Sequence, residues 1–333
     1  MTGKKRLLTG LQSSGQLHIG NYFGALKPFV ESYKNFESFL MVADYHAVTT
    51  VRDPQVLRKE IIDSVRAYMA VGIDPKEATI FQQSQVQEHT ELAWTLECLV
   101  TVPFLMQAHS YKDKVAKGLE ATAGLFNYPM LMAADILLYD TDVVPVGQDQ
   151  RQHIEYAREA AAKFNNAYGD TFTEPEGIIS DAIAVIPGTD GKKMSKSYGN
   201  TIPLFGTREE LAKAVMSIVT DSDADENHIL LNHTLENSDQ RVFKPVNVYL
   251  IHRLLKTQNE LEKLYSENQG NYKAIKEALI EDLDAYLAPM RERYNQITET
   301  DVVTVLKAGS DHAREIASAK MKDIRTKVGV SLT

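Results

Sequence analysis

The sequence predicts an α/β protein with a doubly wound parallel sheet, a mostly helical insertion and a C-terminal α-helical domain. Three observations support this prediction. Short apolar runs alternate with helix-like segments over residues 6–84, the middle of the chain is rich in helical patterns, and the chain beyond residue 207 consists almost entirely of amphipathic helical patterns. A β-α-β-α-β order favours a parallel sheet, whose ligands bind at the carboxyl ends of the strands.

The first three strands are predicted from the apolar runs RLLTGL, SFLMVADYHAVTT and ATIFQQS. A helix opens near Ile19 between the first two runs. Apolar residues at helical spacing predict a second helix over residues 54–71, after a start signal at Asp53. Three polar side chains fall at the carboxyl ends of the predicted strands: Gln12, Asp44 and Gln82.

The rest of the chain divides at a basic, glycine-rich segment. Residues 103–184 are predicted to be mostly helical, with a strand-like TDVVPVG inside them. PGTDGKKMSKSYGNTIP is bounded by Pro187 and Pro203 and predicts a loop. Helices are then predicted at 246–256, 272–297 and 302–328, with Pro289 kinking or splitting the second. We place the main domain boundary near residue 205.

Composition excludes several classes of protein. The 333-residue chain is 44% hydrophobic and 24% charged, as is usual for a globular protein, and its net charge of −9 argues against a general polyanion binder. The single cysteine, Cys98, excludes an internal disulfide and a cysteine-only metal site. There is no secretory signal pattern and no run of ~20 apolar residues, so we expect a cytoplasmic protein.

HIGN, residues 18–21, opens the first predicted helix. Free N–H groups at a helix start attract phosphate, Gly20 lets a ligand approach, and His18 and Asn21 can donate hydrogen bonds. A glycine-relaxed turn with a solvent-facing histidine explains this stretch equally well. In the later loop, Lys193 and Lys196 could close over a triphosphate, although short lysine clusters are usually solvated.

Asp135 lies in the apolar helical pattern of NYPMLMAADILLY, residues 127–139. A buried carboxylate is costly without donors, so an Asp135 that faces a pocket suits a ligand with one N–H or O–H on an apolar ring. The alternative is that Asp135 faces solvent. Nearby, GQDQ at 147–150 opens another predicted helix, where Asp149 could serve as an ordinary cap.

HIGN and KMSKS together resemble the paired signatures of class I aminoacyl-tRNA synthetases. Asn21 replaces the second histidine common in that family, as in its tryptophanyl and tyrosyl branch, and an amide still donates to phosphate. YPMLMAADILLY and VPVGQDQRQH resemble the bacterial tryptophanyl enzymes over nearly the whole α/β region. Met132 favours a tryptophanyl over a tyrosyl enzyme, since tyrosyl enzymes typically have glutamine at this position. Gln148 stands where the family commonly has glutamate.

The resemblance implies the domains, the site and the partners. It implies a Rossmann-like catalytic domain at 1–103 and 185–205, an insertion at 104–184 with the amino-acid pocket and dimer contacts, and an anticodon-binding domain at 206–333. The implied catalytic residues are Lys193, Lys196, Lys114, His18 and Asn21. The implied ATP site adds Gln12, Ser13, Ser14, Gly20, Gly147, Gln148, Asp149, Met194, Ser195 and Ser197. The implied tryptophan site is Leu8, Gly10, Ala43, His46, Tyr128, Met132, Asp135, Val144, Val146 and Gln150.

The implied reaction joins tryptophan to tRNA(Trp) through an adenylate. ATP would carry Mg²⁺, since the sequence has no cluster of carboxylates that would indicate an all-protein metal site. The resemblance also implies a homodimer. A tyrosyl-tRNA synthetase and a non-catalytic tRNA-binding paralogue are the alternatives. The basic residues near the end of the chain suit either a phosphate backbone or the solvent face of a helical bundle: Lys307, Arg314, Lys320, Lys322, Arg325 and Lys327.

Overall fold

The computed structural model describes residues 4–11, 16–118, 120–146, 151–179, 186–220 and 246–332. Five parallel strands form one sheet in the order β3-β2-β1-β4-β5. The strands are β1 (Arg6–Leu11), β2 (Glu37–Val42), β3 (Ala78–Gln82), β4 (Val143–Val146) and β5 (Glu176–Ile179). The chain builds outward from β1 to β3 and then returns to the other side of β1. This reversal creates the crevice in which such sheets bind ligands.

Helices cover both faces of the sheet, which confirms the predicted fold class. Before β4 they are α1 (Ile19–Asn21), a π-helical turn (Tyr22–Leu26), α2 (Lys27–Ser32), α3 (Asp44–Ala47), α4 (Pro54–Ala70), α5 (Glu88–Glu97), α6 (Val102–Leu105), α7 (His109–Ala116) and α8 (Ala123–Leu137). After β4 they are α9 (Arg151–Tyr168), α10 (Arg208–Met216), α11 (Val246–His252), α12 (Gln258–Glu267), α13 (Tyr272–Gln296) and α14 (Glu299–Val328).

The structure corrects two expectations about these elements. The segment 104–184 contributes two strands to the main sheet, whereas the sequence indicated one; β5 is only four residues long and carries no strong strand pattern. Pro289 was predicted to kink or split its helix; the split is wrong, because α13 is one helix of 25 residues. Leu283, Leu287 and Met290 on both sides of the proline are buried, and this packing outweighs one lost hydrogen bond.

Alternate residues of the strands face two apolar clusters. Leu7 and Leu40 belong to the cluster that includes α4 and α13, while Leu8 and Phe39 belong to the cluster that includes α5, α8 and α9. The long helix α14 contributes to both clusters as it passes the edge strand β3. A Cβ at Gly309 would lie 1.9 Å from the carbonyl oxygen of Ile80, so this glycine is what allows α14 to lie directly against β3.

Hydropathy gives no candidate for a membrane-spanning helix among the helices of the described residues.

Candidate active site

The HIGN turn and the lysine loop lie side by side. The main-chain N–H of Ile19 donates to the carbonyl of Ile202 over 3.0 Å, and that of Leu204 donates to Leu17 over 3.0 Å. His18 and Pro203 form an antiparallel bridge between the same two stretches. Two segments separated by more than half of the chain therefore meet at the start of α1.

His18 caps α1 and is held in one orientation. Its Nδ1 accepts from the main-chain N–H of Asn21 over 3.3 Å, and the main-chain N–H of His18 donates to Oδ1 of Asn21 over 3.1 Å. An accepting Nδ1 places the ring proton on Nε2, which is then the donor available to a ligand. Burial, aided by the positive charge of Lys196, lowers the pKa of His18 to about 4. The imidazole is therefore neutral at neutral pH.

Gly20 makes room for protein atoms, and its expected role in admitting a ligand stays a prediction. A Cβ there would lie 2.9 Å from Nδ1 of His18 and 3.3 Å from Cβ of Met194. Met194 is buried, and its N–H donates to the carbonyl of Ile186 over 3.0 Å. The absent side chain thus lets the His18 ring and the lysine loop pack against the same turn.

Asn200 organises the lysine loop from within. It is buried, its Oδ1 accepts from the N–H of Ser195 over 2.8 Å, and its Nδ2 donates to Asp190 over 2.6 Å and to the carbonyl of Lys193 over 3.2 Å. Lys193, Lys196 and Ser197 are exposed on this framework. The loop is therefore a turn held together by Asn200, with both lysines exposed.

Asp135 lies deep in the protein, which excludes the solvent-facing alternative. It is 1% exposed. Its Oδ2 lies 2.8 Å from Nε2 of His46, and its Oδ1 accepts from Nε2 of Gln83 over 2.7 Å and lies 2.6 Å from Nδ1 of His89. Burial alone would raise the pKa of Asp135, but the hydrogen bonds and charges of His46 and His89 outweigh burial and hold the pKa at about 2. The carboxylate is ionised.

Asp135 shares its face of α8 with an aromatic and an apolar side chain. Tyr128, Met132 and Asp135 follow one another at helical spacing on α8, so they share a face of that helix. The Tyr128 ring stands edge-on to His46 at 6.3 Å, and its hydroxyl lies 2.8 Å from Nε2 of His153. The implied pocket walls Leu8, Ala43 and Val144 are buried in the same cluster, against which Met132 packs. Gly10 lies at the end of β1, where a Cβ would approach Cε of Met41 at 3.1 Å.

Several implied site residues lie outside the described residues: Gln12, Ser13, Ser14, Gly147, Gln148, Asp149 and Gln150, together with the side chain of Val146. Lys114 is half-buried on α7. That helix packs on α8 through the rings of Tyr111 and Phe126, whose centroids are 5.0 Å apart. The role of Lys114 toward phosphate stays a prediction.

Sequence reasoning missed Gln83, His89, Tyr139 and Asn200. His89 and Tyr139 are buried, and Nε2 of His89 lies 2.8 Å from the Tyr139 hydroxyl. In the sequence, His89 and Tyr139 stand out only as polar residues within apolar helical patterns, and such residues usually belong to the core. Asp44 and Gln82, which were noted at strand ends, bind each other over 2.7 Å.

The basic C-terminal residues do not form one free face, because four of the six are paired with the rest of the chain. Arg325 forms two hydrogen bonds to Glu91, and Arg314 binds the carbonyl of Gln85 over 2.6 Å. Lys320 binds Asp140 and the carbonyl of Thr171, and Lys327 binds the carbonyl of Asp170 over 2.7 Å. These four cations attach α14 to earlier segments of the chain, while Lys307 and Lys322 are exposed. The sequence had left a phosphate backbone and a solvent-exposed face open for all six residues, and it gave no sign of these pairings.

Comparison with known proteins agrees with this geometry. The family model described as class I tRNA synthetases (W and Y) matches residues 1–288. The tryptophan–tRNA ligase of Fusobacterium nucleatum is 45% identical over 329 residues and is matched over 98% of both chains. A crystal structure of tryptophanyl-tRNA synthetase from Campylobacter jejuni complexed with ADP and tryptophan has a TM-score of 0.87 and 43% identity, covering 97% of this chain and 99% of that one. The Mycoplasma pneumoniae enzyme has a TM-score of 0.82 and 29% identity over 98% of both chains. The chain therefore belongs to the class I tRNA synthetases of the W and Y family.

Proposed function

We propose that this protein is a tryptophan–tRNA ligase. It activates L-tryptophan with ATP to tryptophanyl-adenylate and pyrophosphate, and then transfers the amino acid to the 2′-hydroxyl of the terminal adenosine of tRNA(Trp). The observation that carries the proposal is the buried, ionised Asp135 on the same helix face as Met132 and Tyr128. Such a carboxylate suits the N–H of an indole ring enclosed by apolar groups.

Activation requires positioning and charge stabilisation, and no dedicated base. The carboxylate of tryptophan is already ionised and attacks the α-phosphate of ATP, while the bond to pyrophosphate breaks. His18 offers Nε2–H and Asn21 keeps its Nδ2 donor, so both can hold phosphate oxygens beside the lysine loop. Lys193, Lys196 and Lys114 would stabilise the charge that accumulates on the leaving pyrophosphate. Neutral His18 acts as a hydrogen-bond donor, and the lysines supply the positive charge that stabilises the pyrophosphate.

Mg²⁺ would arrive with ATP as part of the substrate. Within the residues that the structure describes, no three His, Cys, Asp or Glu side chains come together as a metal site. Phosphate oxygens and water are the usual partners of Mg²⁺ in nucleotide sites.

Amino-acid-dependent exchange of labelled pyrophosphate into ATP tests the proposal. We expect exchange with tryptophan and none with tyrosine. Exchange with tyrosine alone would assign the chain to the tyrosyl enzymes, and failure with both amino acids would indicate a non-catalytic tRNA-binding paralogue. Charging of tRNA(Trp) transcripts then tests the second step.

The proposal includes a homodimer in the cytoplasm. Large apolar side chains are exposed on α5 and α6 and just after them: Trp94 at 68%, Val102 at 61% and Met106 at 48%. A second copy of the chain on this face would remove them from water. Sedimentation of the wild type and of Trp94→Glu tests this part of the proposal; a monomeric wild type would exclude it.

The domain division is proposed in the same way. Residues 1–103 and 185–205 would bind the nucleotide, 104–184 would supply the amino-acid pocket, and 206–333 would contact the anticodon. Exposed Lys307 and Lys322 are the basic residues of α14 that remain available for RNA. The double variant Lys307→Ala/Lys322→Ala should have a raised KM for tRNA in the charging reaction, while its rate of pyrophosphate exchange should be unchanged.

A further inference from the structure

The environment of Asp135 is asymmetric between its two oxygens. Oδ1 has two protein partners, Nε2 of Gln83 at 2.7 Å and Nδ1 of His89 at 2.6 Å. Among the described residues, Oδ2 has one, Nε2 of His46 at 2.8 Å. A carboxylate offers about four acceptor sites, two on each oxygen. Oδ1 is therefore saturated, and one acceptor site is left, on Oδ2.

Tyr139 holds the His89 ring in position. Its hydroxyl lies 2.8 Å from Nε2 of His89, on the side of the ring opposite to Asp135. The ionised carboxylate of Asp135 can only accept, so the hydrogen bond of 2.6 Å runs from Nδ1–H of His89 to Oδ1.

Gln83 is held in a similar way. Its Oε1 accepts from the main-chain N–H of Tyr45 over 3.1 Å, so the amide is oriented with Nε2 toward Asp135. Gln83 and His89 are both wholly buried. Neither can exchange its bond to Asp135 for one to water without repacking the core.

We propose that Gln83, His89 and Tyr139 are positioning residues that saturate Oδ1 of Asp135 and leave a single acceptor site on Oδ2 for the ring N–H of the amino acid. The inference rests on the proposed function and extends it to specificity. A planar bicyclic ring with one N–H satisfies the remaining site, whereas an isosteric ring without N–H leaves a buried acceptor without a partner. Such a mismatch is what separates closely similar substrates strongly.

The experiment compares tryptophan with 3-benzothienylalanine, in which sulfur replaces the ring N–H. Pyrophosphate exchange gives kcat/KM for each amino acid with wild type, Tyr139→Phe, His89→Leu, His89→Asn and Tyr68→Phe. Tyr68→Phe is the matched control, because the Tyr68 hydroxyl is also buried but has no hydrogen-bond partner within the described part of the chain. His89→Asn restores a donor near the position of Nδ1.

We expect the preference for tryptophan to fall about tenfold or more in His89→Leu, since a lost hydrogen bond to a charged group has about that effect on binding. A smaller fall is expected in Tyr139→Phe, partial recovery in His89→Asn and no change in Tyr68→Phe. The KM for ATP should stay constant in all of them. The acid limb of kcat/KM for tryptophan should move to higher pH in His89→Leu, because Asp135 then loses a donor while His46 and Gln83 remain.

An unchanged preference in folded Tyr139→Phe and His89→Asn, together with an unmoved acid limb in His89→Leu, would overturn the inference. A wild-type protein that shows no exchange with tryptophan would instead refute the proposed function, so the two failures are distinguishable. If His89→Leu does not fold, Tyr139→Phe still decides, because it removes one oxygen atom and leaves the ring packing in place.

Discussion

The main-chain N–H of Ile19 donates to the carbonyl of Ile202 over 3.0 Å, which joins the first turn of the HIGN helix to the end of the lysine loop. His18 directly precedes Ile19, and the positive charge of Lys196 from the lysine loop helps to lower the pKa of His18. The proposed hydrogen-bond donors to phosphate, at the start of the chain, and the lysines of the later loop thus share one local framework. Substitutions that disturb this framework should impair ATP use more than tryptophan binding.

Gly20→Ala should disrupt this framework directly. The new Cβ would lie 2.9 Å from the His18 ring, and the ring has little room to retreat because it is 6% exposed. We expect a loss of roughly 10–100-fold in kcat/KM for ATP in pyrophosphate exchange, of the size seen when catalytic groups are misplaced. Gly124→Ala is the control, because its Cβ would have no neighbour closer than 3.9 Å among the described residues. Equal activity of the two variants would contradict this role of Gly20.

Asn200→Ala should loosen the lysine loop. The variant loses the acceptor for Ser195 and the donors to Asp190 and Lys193, so the loop ammonium groups lose their fixed positions. We expect a KM for ATP raised by roughly tenfold, equivalent to about 1.4 kcal/mol, with the KM for tryptophan little changed. Asn268→Ala is the control. It removes a hydrogen bond from the side-chain amide to the carbonyl of Leu264 on a distant helix, and it should leave both constants unchanged.

Lys196→Ala should slow adenylate formation more than it weakens tryptophan binding. Lys196 is exposed at the start of a short 3₁₀ turn, so its loss should disturb little packing. Removal of a group that acts mainly on the developing charge lowers kcat. Single-turnover measurement of adenylate formation gives the rate, and fluorescence titration gives tryptophan affinity. Weaker tryptophan binding at an unchanged rate would argue against the proposed role of the loop.

His18 makes stability depend on pH in a defined window. Its pKa is about 4 in the folded chain and 6.5 in an unfolded, solvated chain, so below pH 6.5 the unfolded chain binds a proton that the folded chain refuses. The contribution of neutral His18 to the free energy of unfolding is complete above pH 6.5 and is lost as the pH falls toward 4. We expect wild type to lose roughly 1–2 kcal/mol more than His18→Gln between pH 7 and pH 5 in urea unfolding. An equal loss in both proteins would show that His18 titrates normally.

Local patterns were sufficient for the elements that decide the fold. RLLTGL coincides with β1 and the 54–71 helix with α4, because alternating burial and helical spacing are properties of short stretches. β5 was missed because its four residues pair only with β4, and that pairing is decided by the sheet and not by EGII itself. The unbroken α13 depends in the same way on packing around Pro289.

The site was predictable where a motif carries its own chemistry. His18, Asn21 and the lysine loop could be selected from sequence, as could Asp135, a carboxylate in an apolar helix. The partners of Asp135 could not, since Gln83 and His89 precede it by 52 and 46 residues and resemble ordinary core positions. The same limit applies to Arg314 and Arg325: the sequence left an RNA backbone or solvent open for their charges, and in the structure they bind Gln85 and Glu91. Burial and pairing of charges are tertiary properties.

Gly309→Ala should destabilise the protein although alanine is the better helix former. Alanine in a helix is favoured over glycine by about 1 kcal/mol, so a solvent-facing Gly309 would make the substitution stabilising. In the structure the new Cβ would lie 1.9 Å from the Ile80 carbonyl oxygen, which is main chain in the middle of β3 and cannot move without disturbing the sheet. We expect a loss of about 3 kcal/mol or more in chemical unfolding, as for other overpacked sites. Ala308→Gly at the exposed neighbouring position should cost only about 1 kcal/mol. A more stable Gly309→Ala variant would mean that α14 does not lie against β3.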